Sequence, residues 1–94
     1  MKIQWTPDAL DDLNEIYEWI AKDRPSSAAK ETKRIKSSIR RLIKYPYSGR
    51  VSAWLGIREL VVPYRPYIVV YSIGEKSIFI MAVVHAARDW KKRK

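Results

Sequence analysis

The segment YIVVYSIGEKSIFIMAVVH, residues 67–85, constrains the fold of this chain more than any other. Two aliphatic and aromatic runs, 67–73 and 77–85, are split by GEK. β-Branched and aromatic residues crowd both runs and Gly74 supplies the turn, so the segment predicts a hairpin. Neither run alternates apolar with polar. In the first, Tyr67, Val69 and Tyr71 stand opposite Ile68 and Val70. In the second, Ile78, Ile80, Ala82 and Val84 are expected on one face and Phe79, Met81 and Val83 on the other. A sheet with one solvated face shows polar residues at every second position. This hairpin therefore demands apolar cover on both faces, or a partner for one of them.

The rest of the chain supplies one cover plainly. IRELVV, 57–62, reads as a further strand, and PYRP, 63–66, is too rich in proline to extend it and forms a turn. Short turns make these three strands an antiparallel meander. Upstream, KIQW, 2–5, alternates as a short strand, and TPDA opens a helix with Thr6 as its cap, Pro7 in its first turn and Asp8 at its positive end. Leu10, Leu13, Ile16, Tyr17 and Ile20 recur at helical spacing, with Asp11, Asp12, Glu15 and Glu18 off that stripe. DRPSS, 23–27, breaks the helix, and Ser26 or Ser27 is placed to cap a second one running to about Tyr45. Its stripe is Ala28, Thr32, Ile35, Ile39 and Leu42, and lysines and arginines fill the remainder.

The expected architecture is α+β, in the order β-α-α-β-β-β: an antiparallel sheet with an N-terminal helical hairpin packed on one face. Residues 1–94 form a single domain, with 91–94 as a basic tail. The second face has two readings. Either residues 46–56 and 86–94 bury it, or it is a binding groove.

Charge narrows the partner. The chain holds 19 basic and 10 acidic residues, net +9. The acidic ones concentrate early: Asp8, Asp11, Asp12, Glu15, Glu18 and Asp23 face only Lys2 and Lys22 in the first 23 positions. The remainder is strongly basic and suits nucleic acid or an acidic protein. Without cysteine and with one histidine, a His/Cys metal cluster and disulfides are excluded, and no cofactor is expected. Gly49, Gly56 and Gly74 lie too far apart for a phosphate-binding loop. The longest apolar run, IFIMAVV, is far short of a membrane span, and the start lacks the apolar core of a signal peptide. A cytoplasmic location is expected.

The words WTPDALDDLNEIYEWIA, YPYSGR, IRELVV, PYIVVY and VVHAARDW, in this order and spacing, resemble the RelE/ParE superfamily of toxins from bacterial type II toxin–antitoxin systems. The resemblance runs from Trp5 to Trp90 and is closer to the ParE-like members. It implies a small basic toxin wrapped by an acidic antitoxin in a hetero-oligomer. It also implies one of two activities. ParE-like members inhibit DNA gyrase by binding. RelE-like members cut mRNA on the ribosome, without metal, using basic residues and a terminal tyrosine or histidine. A third reading, independent of the resemblance, is a basic nucleic-acid-binding module without toxicity.

Particular residues bear on these two activities. RelE-like nucleases often carry an arginine where YIVVY has Ile68, and isoleucine cannot stabilise a phosphorane. If the chain is a nuclease, His85, Arg65, Arg58 and Arg88 are the candidates for its chemistry, with His85 as acid or base. Otherwise there is no catalytic residue. Arg58, Arg65, Tyr67, Tyr71, Met81, His85, Arg88 and Trp90 are then candidates for contact with target or antitoxin. The reading favoured is a ParE-like toxin that inhibits gyrase.

Overall fold

A computed structural model describes residues 1–87. Strand β1 spans Lys2–Trp5, helix α1 Pro7–Ala21 and helix α2 Pro25–Arg40, followed by a 3-10 turn at Arg41–Ile43. Four strands follow among the described residues: β2 (Arg50–Val51), β3 (Arg58–Val61), β4 (Tyr67–Ile73) and β5 (Ser77–His85). The five strands form one sheet in the order β1-β5-β4-β3-β2. The meander β2–β5 is antiparallel throughout. Strand β1 joins it parallel to β5, with Trp5 opposite Ile80. The meander is antiparallel as expected, and β1 adds a parallel edge that makes the sheet mixed.

The helices start where their first turns allow. Thr6 is extended at φ −74° and ψ 157°, and its hydroxyl accepts the Ala9 N–H at 3.2 Å, with Pro7 next. The same hydroxyl donates to the Ile80 carbonyl at 2.8 Å, so the cap also ties α1 to β5. Helix α2 begins at Pro25 after a non-helical Arg24, without a side-chain cap from Ser26 or Ser27. Its regular turns stop at Arg40, short of Tyr45. The expected stripe of α2, Ala28, Thr32, Ile35, Ile39 and Leu42, is buried. In α1 the buried residues are Ala9 and Leu13, while Leu10 and Tyr17 stay exposed.

The core lies between the helical hairpin and the sheet. Ala9, Leu13, Ile35, Ile39 and Leu42 meet Tyr67, Val69, Tyr71, Ile78, Ile80 and Val83 there. Ile68, Val70, Ala82 and Val84 cluster separately, with Ile57 and Met81 packed on them. Strand β4 thus alternates as expected. Strand β5 does not: Ile80 and Ala82 belong to different clusters. Val70 pairs with Ala82 but Tyr71 pairs with Ile80, so Met81 has no opposite number. This bulge inserts one residue, and side chains beyond it exchange faces. Because both faces of the strand are apolar, the sequence pattern carries no mark of the slip.

The second face is buried at its middle, where Val70 is fully enclosed. The expected contribution of residues 88–94 to that burial lies outside the described residues. Among the described residues no helix is long and apolar enough to cross a membrane.

Candidate functional site

The candidate residues fall into two groups at opposite ends of β4. Tyr67 pairs with His85 at one end, and Tyr71 pairs with Arg58 near the other. The two tyrosines are four residues apart, about 13 Å along an extended strand.

At the His85 end, the imidazole is exposed and its ring meets that of Tyr67 edge-on, with centroids 5.9 Å apart and planes at 83°. Its Nδ1 accepts the Ala87 N–H at 3.2 Å, so the ring is tied to the backbone just past the strand. The Ala86 N–H donates to the Pro66 carbonyl at 2.7 Å and closes the end of the β4–β5 ladder. His85 and Tyr67 line a cleft of about 490 Å³ against α1, together with Trp19, Asp12 and Glu15. Burial pushes the Tyr67 phenol above its ordinary value, and the Glu31 carboxylate adds to the rise.

Arg65 lies at this end too, but its guanidinium is engaged elsewhere. Its Nη1 donates to the Tyr64 carbonyl at 2.9 Å. Its Nε lies 2.7 Å from Glu31 Oε2. That nitrogen has no hydrogen-bond partner, so the contact with Glu31 is Coulombic rather than directional. The pair fastens the turn before β4 to helix α2. Ile68 is buried in the second-face cluster and offers a phosphate nothing.

At the other end, Arg58 serves the segment before β2. Its Nη1 donates to the Gly49 carbonyl at 2.6 Å and reaches the Tyr47 carbonyl at 3.4 Å. Its guanidinium carbon stands 5.0 Å from the centre of the Tyr47 ring. The neighbouring Glu59 pairs with Arg50 at 3.0 Å. Tyr71 is fully buried, and its hydroxyl donates to the Pro46 carbonyl at 2.8 Å and accepts the Gly49 N–H at 2.9 Å. Burial raises its phenol, against the lowering effects of the Gly49 hydrogen bond and of Arg58. A Cβ on Gly49 would come within 2.5 Å of the Tyr71 hydroxyl oxygen, which explains the glycine.

The structure therefore brings Arg65, Tyr67 and His85 to one end and Arg58 and Tyr71 to the other. Met81 is the bulge residue, half-buried on the second face. Arg88 and Trp90 lie outside the described residues. Two further residues contribute to this end of the sheet. Asp12 lies off the apolar stripe of α1, yet its carboxylate accepts the Val83 N–H at 3.0 Å. Trp19, 72% exposed, forms a wall of the His85 cleft. No local signal marks either, because both depend on where β5 lies beneath α1.

Comparisons with known proteins agree on a family. The model of a family described as the ParE toxin of the type II toxin–antitoxin system parDE matches residues 3–90. A putative toxin, Y4kP, from Sinorhizobium fredii is 40% identical over 89 residues, covering 95% of this chain and 92% of that protein. Toxin RelE2 of Caulobacter vibrioides is 36% identical over 87 residues, covering 93% and 97%. A solved structure of the chromosomal ParDE toxin–antitoxin system from P. aeruginosa superposes with a TM-score of 0.82 at 26% identity, covering 90% of this chain and 95% of that one.

Proposed function

This chain belongs to the ParE toxin family of type II toxin–antitoxin systems, and from that premise we propose that it acts by binding DNA gyrase, without cutting RNA, and is neutralised by an acidic antitoxin. One observation carries the choice. The cleft that holds His85 is walled by Asp12 and Glu15. Carboxylates beside the one candidate acid–base group repel a phosphodiester, whose cleavage needs cations where charge develops. Of the described arginines proposed for such a clamp, Arg65 is paired with Glu31 and Arg58 is bound to carbonyls at the far end of the sheet.

Two features support an acidic antitoxin as partner. The net charge of +9 suits it. Apolar side chains on and around the β2–β3 loop, Val51, Trp54 and Leu55, remain exposed. A segment laid over them would remove that surface from water.

The test has two arms. Purified full-length protein is added to a gyrase supercoiling reaction and, separately, to ribosomes translating a defined mRNA. Loss of supercoiling with intact mRNA is expected. Cleaved mRNA with unaffected supercoiling would replace this reading with the ribosomal one.

A further inference from the structure

Helix α2 and the strand beneath it enclose a trough that the contacts above leave unused. Two hollows, of about 520 and 540 Å³, meet at Ser38, Arg41 and Pro63. Together they follow α2 and the start of the 3-10 turn from Lys30 to Arg41, about 16 Å at the helical rise. Lys30, Lys33, Arg34 and Arg41 line it, and none of its lining residues carries a carboxylate. The nearest acid on α2, Glu31, is already paired with Arg65.

Aromatic rings border the same trough. Tyr45, Tyr47 and Tyr64 line it and are 52%, 69% and 96% exposed. Two are flanked by cations: Lys44 Nζ lies 5.6 Å from the Tyr45 ring centre, and Arg58 approaches Tyr47 as described. The third is held at a conformational cost. The Arg65 N–H donates to the Val62 carbonyl at 3.2 Å, which places Pro63 and Tyr64 at the centre of a turn. Tyr64 has φ +60°, the left-handed region. Glycine or asparagine is the ordinary occupant there, and a bulky residue is an outlier. A strained tyrosine with its ring in solvent, at the end of a cationic trough, is a feature that folding alone does not require.

We propose that this trough binds single-stranded nucleic acid, with Lys30, Lys33, Arg34 and Arg41 on the phosphates and Tyr47 and Tyr64 stacking on bases. Charge complementarity selects a polyanion, and the exposed rings select one with unstacked bases over a duplex. Neither contact reads the sugar, so DNA and RNA strands bind alike. This surface is separate from the His85 cleft, and the inference does not depend on gyrase being the target.

The test is fluorescence anisotropy with the full-length chain and labelled strands of about 12 nucleotides, oligo-dT and oligo-rU, beside a duplex of equal length. Both single strands should bind within about threefold of each other, and the duplex about tenfold more weakly. Replacing Lys30, Lys33 and Arg34 by glutamine should make the slope of log K against log salt shallower by about 2. Tyr64→Gly should weaken binding by about tenfold without lowering Tm, and Tyr64→Trp should retain it. Absence of binding at low salt, a duplex bound as tightly as a strand, or full binding by Tyr64→Gly would each overturn the proposal. So would displacement of oligo-dT by poly-glutamate as readily as by unlabelled strand, which would assign the trough to an acidic polypeptide.

Discussion

The Asp12 carboxylate accepts the Val83 backbone N–H at 3.0 Å, across 71 positions of sequence. The bond completes the outer edge of β5. Strand β1 pairs with β5 only as far as Trp5 and Ile80, and the chain then leaves as α1. Beyond that point a donor on the edge of β5 has no strand to meet. Val83 is buried, so water is a poor substitute. Asp12→Ala should therefore lower unfolding stability by about 1–3 kcal/mol, the cost of stranding a buried donor. Asp12→Asn, which keeps an acceptor oxygen, should recover part of it. Urea unfolding at neutral pH measures both, and equal stability of all three proteins would show that the bond contributes nothing.

That bond also marks the limit of what the sequence discloses. Thr6, Pro7 and the stripe of α2 were legible because caps and helical faces are set by residues within a few positions of each other. The alternation of β4 was legible for the same reason. The parallel pairing of β1, the two-residue strand Arg50–Val51 and the carbonyl partners of Arg58 were not. Each joins segments far apart in the chain or is shorter than any periodic pattern. Spacing places Asp12 off the apolar stripe, and its acceptor role exists only once β5 lies beneath it. The bulge at Met81 is the clearest case. A one-residue slip becomes visible in a pattern only when it moves polar residues inward, and here both faces are apolar.

Tyr71 gives a prediction in pH. Its phenol and that of Tyr67 are raised, chiefly by burial. A raised acid keeps its proton longer folded than unfolded. Below the ordinary tyrosine value of about 10 both states are protonated and these groups add no slope. Above it the unfolded chain ionises first, and stability falls as pH rises toward the folded values. Unfolding followed from pH 8 to about 11.5 should show this decline, less steep in Tyr67→Phe. A profile unchanged by that substitution would count against the burial effect.

The same hydroxyl can be tested at neutral pH. Tyr71→Phe removes the donor to Pro46 and the acceptor for Gly49, and Gly49 is buried. The expected loss is about 1–3 kcal/mol. Gly49→Ala should be destabilising by a similar amount, about 1–3 kcal/mol, because its Cβ would press on the Tyr71 ring edge at 2.7 Å and on the Glu59 carbonyl at 2.9 Å. If Gly49→Ala unfolds at the wild-type urea midpoint, the segment before β2 is more yielding than its contacts suggest.

His85 separates the two activities. In a binding toxin the imidazole contributes contact area at an exposed position, and its Nδ1 is already occupied by the Ala87 N–H. His85→Gln keeps a polar side chain of similar reach and cannot exchange a proton near neutral pH. Growth arrest in cells expressing His85→Gln without antitoxin should match wild type within a few fold. A general acid or base contributes about 100-fold or more, so a nuclease using His85 would be disabled by the same change. The control is Trp19→Ala, on the opposite wall of the cleft. Trp19 is exposed, so the fold should survive its loss. If the cleft is a binding surface, Trp19→Ala should reduce toxicity more than His85→Gln does, since a truncated aromatic removes more buried contact area than a polar exchange. The reverse order, with His85→Gln inert and Trp19→Ala fully toxic, would place chemistry in the cleft and reopen the ribosomal reading.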